Sequence, residues 1–371
     1  MSTAKVFDIS GYTQGERIAA GVVAALIGLM VLGTAGGFLD LTYLLYLLGI
    51  GGMYVLLSLG LNVQWGYAGL INFSVAAFFG LGAYGAALMT ASSSPLAGGF
   101  GPLVGLVTGL VLAGVVAVLI GIPTLRLRAD YLAIASLGLA EVVRLVVLNQ
   151  RNWTNGSAGL TGIPRMFANW PVVDSLSYPV VVTVGGADLA ILTQRFISQF
   201  LNFLIVVGFI AVVYAFLRRI HRSPWGRVLR TIRSDEDLAK AIGKNTYRFK
   251  MQAFVLGSVI MALAGVFYVH LTLYLGPGEL LPTKTFYVWI AVILGGSGSN
   301  RGAVFGGFAI VALQEGTRFA PTGALPMDPA SIRLLLIGLL IIAIIRLRPE
   351  GLLPPKDELI WPGAKGGSSD E

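Results

Sequence analysis

Long apolar runs separated by short polar segments make up most of this 371-residue chain. A membrane-spanning helix needs about 20 mainly apolar residues, and most of these runs approach that length. The candidate spans cover roughly residues 18–37, 41–61, 72–91, 102–123, 130–149, 200–217, 251–271, 284–296, 302–319 and 331–346. The pattern predicts an all-α, polytopic integral membrane protein with about 8–10 transmembrane helices, forming a single domain over residues 1–371.

Two of the predicted spans are short, and a glycine-rich break separates them. Residues 284–296 would rise only about 20 Å as a helix, against a hydrocarbon layer of about 30 Å. The break reads GGSGSNRG, from Gly295 to Gly302. The pair is therefore either two full spans or a re-entrant hairpin, so some helices are expected to be broken or re-entrant. A second break, WGYAG, lies at Trp65–Gly69.

Composition excludes several kinds of chemistry. The chain is 56% hydrophobic and 12% charged, whereas soluble domains carry about 25% charged residues. It has no cysteine and two histidines, so disulfides, thiolate metal sites and cysteine nucleophiles are excluded. The phosphate-loop motif G-x-x-x-x-G-K-[ST] is absent. These absences predict that the chain is not an enzyme and binds no cofactor, and that ATP hydrolysis, if used, belongs to another subunit.

The distribution of positive charge predicts the orientation. The segment 218–250 carries ten of the 26 Lys and Arg residues. If it lies inside, 19 cations fall on the inner side, six on the outer side and one, Arg144, within a span, in agreement with the positive-inside rule. Both termini are then cytoplasmic, with an N-terminal segment 1–17 and a polar, disordered tail 354–371, and segment 150–199 is external. The net charge of +8 is explained by the membrane, without a nucleic-acid partner.

A short helix is predicted within segment 218–250. It comprises Ser234, Asp235, Glu236, Asp237, Leu238, Ala239, Lys240, Ala241, Ile242 and Gly243. Ser234 is a fitting N-cap with Asp237 at capping-box spacing, and Gly243 is a natural stop. Its apolar face consists of Leu238, Ala241 and Ile242. A helix this short needs a packing partner, so it is either a docking helix for a cytoplasmic protein or an ordinary loop on the membrane surface.

Charged residues inside spans are candidates for the transport pathway. Glu141 is followed three residues later by Arg144, and Glu315 and Arg318 repeat this spacing. A charge at mid-membrane costs about 2.5–3.5 kcal/mol on insertion scales. Side chains at this spacing meet on one helix face. Each pair either lines the pathway, where a zwitterionic cargo would meet both signs, or forms a self-neutralised tie between helices.

Polar residues also flank the break at Trp65–Gly69. Asn62, Gln64 and Asn72 lie close to it along the chain. Broken helices expose backbone groups at transporter substrate sites, which makes Asn62 and Asn72 further pathway candidates. The alternative is a polar cytoplasmic turn, which the predicted topology slightly favours.

Several blocks of sequence, in order, resemble one family. They are LGLNVQWGYAGLINFSVAAFFGLGAYGAAL from Leu59, LRLRADYLAIASLGLAEVVRLV from Leu125, LTGIP from Leu160, SPWGRVLRTIRSDEDLAKAIGKNTYRFKMQAFVLGSVIMALAG from Ser223, GGSGSNRGAVFGG from Gly295 and LRPEGLLP from Leu347. They are similar to the permease subunits of branched-chain amino-acid ABC importers, the LivM/LivH family, and are closest to the LivM side. One departure is Ser74-Val75, where members of the family often have Gly-His.

The resemblance implies an all-helical permease in the cell membrane that pairs with a second, homologous permease. Two cytoplasmic ATPase subunits would drive alternating access, and an external binding protein would deliver the amino acid. In that family the cytoplasmic loop supplies the coupling helix, a role that falls here on Ser234–Gly243. A urea or short-amide importer of the same fold is an alternative. An ion-coupled secondary transporter using Glu141 and Glu315 is another.

Overall fold

The computed structural model describes most of the chain. The described residues are Gly15, Arg17, Ile18, Gly21 and the ranges 40–96, 98–167, 180–184, 187–192, 194–316 and 329–355. In the N-terminal segment and the predicted span 18–37, only Gly15, Arg17, Ile18 and Gly21 are described, and the tail from residue 356 onward lies outside the described residues.

Helices dominate the described residues. They are α1 (Leu41–Leu61), α2 (Val75–Thr90), α3 (Pro102–Thr124), α4 (Ala129–Asn149), α5 (Arg151–Thr154), α6 (Gln194–His221), α7 (Pro224–Ser234), α8 (Glu236–Ala241), α9 (Thr246–Thr272), α10 (Pro282–Gly295), α11 (Asn300–Gly316) and α12 (Pro329–Leu347). A π-helical turn extends α1 over Asn62–Tyr67, and 3₁₀ turns cover Gly156–Ala158 and Pro277–Leu280.

Five helices of the described residues are long and apolar enough to cross a membrane. These are Leu41–Tyr67, Pro102–Thr124, Ala129–Asn149, Arg195–His221 and Thr246–Thr272. Shorter apolar helices lie at Val75–Thr90 and Arg333–Ile344. The prediction of a helical, polytopic membrane protein is confirmed.

The two short predicted spans form a pair of short helices. α10 has 14 residues and α11 has 17. They pack against each other on either side of residues 296–299. Both fall below the roughly 20 residues of a full spanning helix. The glycine-rich sequence allows this tight return, since Gly296 and Gly298 adopt positive φ values of 109° and 89°, where only glycine is unstrained.

A two-stranded antiparallel hairpin departs from the all-α prediction. β1 (Val180–Val184) pairs with β2 (Ala187–Leu192), with Val182 opposite Leu189. It lies in the segment predicted to be external, whose β-branched run VVVTV is typical of strands. Nearer its start, the same segment packs onto the end of α9, because Leu160 and Leu275 exchange backbone hydrogen bonds of 2.8 and 3.0 Å.

The core lies where α1, α2 and α9 pack together. In the most apolar window of each helix, 78% of α1 and 72% of α9 is buried, but only 22% of α3, α4 or α6. Glycines bring the central helices close: a Cβ on Gly82 would collide with the Ala262 carbonyl, and one on Gly265 with the Phe79 carbonyl. Such small residues allow close helix packing in lipid. The outer helices keep apolar faces for lipid or for another subunit.

Candidate functional site

Two breaks in the helices meet in the interior. The first break is the π-helical turn Asn62–Tyr67, and the second break is residues 296–299. The side chain of Asn62 is fully buried and joins them. Its Oδ1 accepts a 2.8 Å hydrogen bond from the Gly298 amide, and its Nδ2 donates to Asn300 Oδ1 at 3.1 Å. The Tyr67 hydroxyl donates to the same Asn300 oxygen at 2.5 Å.

A second set of amide contacts fixes the chain just after the first break. Gln64 Nε2 donates to the Phe254 carbonyl at 2.8 Å and to Ser258 Oγ at 3.1 Å. Asn72 Nδ2 donates to Gln64 Oε1 at 2.7 Å, and Asn72 Oδ1 accepts from the Ser74 amide at 2.8 Å. Both amide side chains are fully buried, where an unsatisfied polar group would cost about 1–3 kcal/mol.

The sequence placed these amides near a break, and in place of the polar turn that it slightly favoured the structure has a buried π-helical turn. The π turn continues α1 beyond Leu61 and directs Asn62 and Gln64 into the core. Their polar atoms bind other parts of the same chain, so they set the backbone of the breaks. A role for Asn62 and Asn72 in contacting cargo stays a prediction.

Glu141 and Arg144 pair with each other on α4. Arg144 Nη2 lies 2.5 Å from Glu141 Oε1, and Nε donates to Oε2 at 2.9 Å. Within the described residues neither side chain bonds to another helix. The pair is therefore self-neutralised along one helix face, and it does not tie two helices together as one interpretation of the sequence expected.

Glu315 has a different contact from the one its spacing suggested. Its Oε2 accepts a 3.0 Å hydrogen bond from the Tyr43 hydroxyl, which joins α11 to the start of α1. Arg318, its predicted partner, lies outside the described residues.

Segment 218–250 contains two helices where the sequence predicted one. α7 ends at Ser234, and the short helix α8 begins at Glu236. The predicted N-cap, Ser234, is wrong by one residue. Asp235 is the cap, and its Oδ1 accepts 2.9 Å hydrogen bonds from the Asp237 and Leu238 amides. The Ser234 hydroxyl instead donates to the Thr231 carbonyl, because α7 holds Ser234 in its own last turn.

The C-terminal end of α8 is capped at Gly243, as the sequence predicted. Gly243 has a φ of 77°. Its amide donates to the Lys240 carbonyl at 2.9 Å, and the Lys244 amide donates to the Ala239 carbonyl at 3.0 Å. This is the Schellman arrangement, which satisfies the last carbonyls of a helix.

α8 buries Ala239 and exposes the apolar face that the sequence predicted. Ala239 is fully buried, whereas Leu238 is 53% and Ile242 59% exposed, and Ala241 is exposed beside them. The predicted apolar face is thus not used for packing within the described chain. An apolar surface on a polar loop is typical of a contact site for a partner.

α8 is tied to the start of α9 through Glu236. Its carboxylate accepts a 3.0 Å hydrogen bond from Thr246 and pairs with Lys250. Burial raises the pKa of Glu236, and the hydrogen bond and charge of Lys250 outweigh this effect, so the pKa lies below its ordinary value of 4.5. The stabilisation is therefore present at neutral pH and is lost as the pH falls through the lower folded value.

A partly buried ion pair joins Lys284 to Glu279, and neither residue was a candidate in the sequence. Lys284 Nζ lies 2.7 Å from Glu279 Oε2. It also lies 3.9 Å from the ring centre of Phe79 and 4.7 Å from that of Tyr268. The sequence could have indicated an acidic partner for Lys284, since a cation in the first turn of a helix opposes the helix dipole and needs compensation.

The fold and these contacts define a class: a polytopic membrane protein with interrupted helices and a capped helix in a polar loop. Comparisons with known proteins give the family. The family model described as branched-chain amino acid transport system / permease component matches residues 43–345, and the chain belongs to this family. No solved structure matches the chain.

Its curated relatives are permeases. The high-affinity branched-chain amino acid transport system permease protein LivM of Escherichia coli K12 is 30% identical over 92% of this chain and 78% of its own length. A probable LivM permease of Methanocaldococcus jannaschii is 28% identical over 85% of this chain and 94% of its own length. LivH of Escherichia coli K12 is 27% identical over 82% of this chain and 92% of its own length.

Proposed function

We propose that this chain is the LivM-like permease subunit of an ATP-driven importer for branched-chain or related amino acids. It would lie in the cell membrane beside a LivH-like permease, with two cytoplasmic ATPase subunits and an external substrate-binding protein. The relatives support this cargo, since their names specify branched-chain amino acids. Similarity to both LivM and LivH supports a pair of homologous permeases. ATP would be bound by the partner subunits alone.

The observation that carries the proposal is the exposed apolar face of α8. A six-residue helix is marginal in isolation, yet this one is capped at both ends and tied to α9 by Glu236. Leu238 and Ile242 point away from that tie and remain exposed. A stiff element with a free apolar face between two spans is suited to receive force from an ATPase. Closure of the ATPases would then switch the permeases between inward and outward access.

Reconstitution tests this function. The chain is expressed with a LivH-like permease and phosphate-loop ATPases, and the complex is placed in liposomes with a branched-chain amino-acid binding protein. We expect labelled leucine, isoleucine or valine to accumulate only when ATP is enclosed with the ATPases. Full uptake by the chain alone, driven by an ion gradient, would contradict the proposal and favour a secondary transporter. If only urea or short amides are taken up in an ATP-dependent manner, the assigned cargo is wrong and the assigned mechanism is supported.

The role of the Glu141–Arg144 pair can be tested in the same system. Because the pair is closed on one helix, we expect a structural role. Glu141→Gln leaves Arg144 alone in the membrane, at a cost of about 2.5–3.5 kcal/mol, and should lower the amount of protein in the membrane. Glu141→Gln with Arg144→Gln should restore the amount and leave the uptake KM unchanged. A raised KM in the double variant would instead place the pair in the pathway.

A further inference from the structure

Arg233 joins α7 to both breaks at once. It lies in the last turn of α7, two residues before the cap of α8. Its Nη1 donates to the carbonyl of Gly66 in the first break, and its Nη2 donates to Ser297 Oγ in the second break at 2.9 Å. Gly66 and Ser297 are far from Arg233 in sequence. One side chain thus contacts the loop helices and both interruptions of the membrane helices.

The acceptors explain why a cation lies there. Gly66 is in the last turn of a 27-residue helix, where carbonyls lack partners within the helix and the dipole is negative. Ser297 lies two residues after the end of α10, and its side-chain hydroxyl is the acceptor. In the described part of the chain Arg233 has no carboxylate partner. Its charge is therefore directed at one helix C-terminus, at Gly66, and at a hydroxyl in the second break.

The geometry requires arginine in particular. A guanidinium is a planar fork whose nitrogens point at separate acceptors, whereas a lysine ammonium is a single point of charge. Arg233 is exposed, and two neighbouring glycines leave space for its side chain. A Cβ on Gly298 would approach Arg233 Nη1 to 3.0 Å, and one on Gly69 would approach Arg233 Cγ to 3.3 Å.

Several side chains connect α7 and α8 to the membrane helices, and one of them is Trp225, whose Nε1 donates to Gln252 Oε1 of α9 at 2.8 Å. Glu236 leads from α8 to α9, and Arg233 leads from α7 to the breaks. A cavity of about 180 Å³ is lined by both side chains and by Leu127 and Arg128 of the α3–α4 turn.

We propose that Arg233 is the positioning residue that transmits movement of the α7–α8 pair to the two breaks. This inference rests on the proposed function, in which α8 receives the ATPase. A shift of α8 moves Arg233, and Arg233 moves Gly66 and Ser297 together. Since Asn62 already bonds the first break to the second at Gly298, the two interruptions respond as one unit.

The test compares variants in the reconstituted importer described above. The variants are Arg233→Ala, Arg233→Lys, Ser297→Ala and the control Arg227→Ala. Arg227 lies on the same helix and carries the same charge, and among the described residues its guanidinium reaches only the Arg222 carbonyl, at 3.5 Å. Three quantities are measured: recovery of the intact complex, ATP hydrolysis, and amino acid taken up per ATP hydrolysed.

For Arg233→Ala we expect an intact complex that hydrolyses ATP while uptake per ATP falls about tenfold, the range seen for residues that carry coupling. Ser297→Ala removes one of the two acceptors and should lower the ratio by a smaller factor. Arg233→Lys should restore it only in part. Arg227→Ala should stay within about twofold of the unaltered protein, as surface substitutions do.

Unchanged uptake per ATP in both Arg233→Ala and Ser297→Ala would overturn the role of Arg233 and leave the importer proposal intact. If Arg233→Ala does not assemble, Ser297→Ala decides, because it deletes a single exposed hydroxyl contact. Failure of the unaltered chain to assemble with ATPases counts against the proposed function itself. The two failures are therefore separate results.

Discussion

Replacing Leu238 and Ile242 together with aspartate is expected to abolish ATP-driven uptake while leaving the chain folded. Both side chains are more than half exposed, so the change removes little packing within the chain. In an ATPase cleft, however, two carboxylates would be desolvated without partners. The few hot-spot residues at the centre of an interface cost about 2 kcal/mol or more each when they are truncated. We therefore expect loss of the complex on purification, and loss of uptake.

Variants of the same helix provide the controls. Leu238→Met with Ile242→Leu keeps the apolar face and should retain uptake. Ala239→Asp places a charge on the fully buried face of α8 and should lower the melting temperature of the purified chain, which the Leu238→Asp, Ile242→Asp variant should not do. Unaltered uptake in that double variant would show that α8 is not the docking element.

Lys284→Met is expected to have the largest effect on stability. The ammonium is buried, 2.7 Å from Glu279 and over the rings of Phe79 and Tyr268. Removing it leaves the Glu279 carboxylate without its cation inside the protein. Breaking one side of a fully buried pair typically costs about 3–5 kcal/mol, and the cost here is smaller because the Glu279 side chain is 34% exposed. The melting temperature in detergent and the amount of protein in the membrane should both fall.

The partner substitution shows whether charge is the cause. Glu279→Gln combined with Lys284→Met removes both charges and should recover most of the lost stability, because a neutral pair of similar shape is often tolerated. Lys240→Met is the matched control. Lys240 pairs with Glu236 and Asp237 while its side chain is 54% exposed, and exposed pairs contribute about 0–1 kcal/mol. Equal melting temperatures for Lys284→Met and the unaltered chain would contradict this account.

The spanning helices could be predicted from the sequence, because a helix that crosses a lipid bilayer needs an apolar run of a known length. The predicted runs 102–123 and 130–149 became Pro102–Thr124 and Ala129–Asn149. The π turn at Asn62–Tyr67 was not accessible. Its polar residues resemble a loop along the chain, and only partners from distant segments, such as Phe254 and Gly298, make their burial favourable.

In the candidate site, too, features set by neighbouring residues were predictable and features set by tertiary contacts were not. Local chemistry predicted α8 and its stop at Gly243, since capping depends on neighbouring residues. It gave the wrong N-cap because α7 extends to Ser234, and the length of α7 depends on packing. Leu229 and Ile232 on that helix are buried against other elements. The contacts of Arg233 with Gly66 and Ser297 follow from tertiary structure alone, and sequence pattern carries no signal for them.

The two caps of α8 have a consequence for the kinetics of assembly. Asp235 closes one end and the Gly243 turn closes the other, so the helix is formed before any partner arrives. The conformational entropy of this helix is lost during folding, so it is not lost again when a partner binds. A partner recognising Leu238 and Ile242 meets a preorganised surface. Its association rate is then set by diffusion and orientation, with no folding step on the binding pathway.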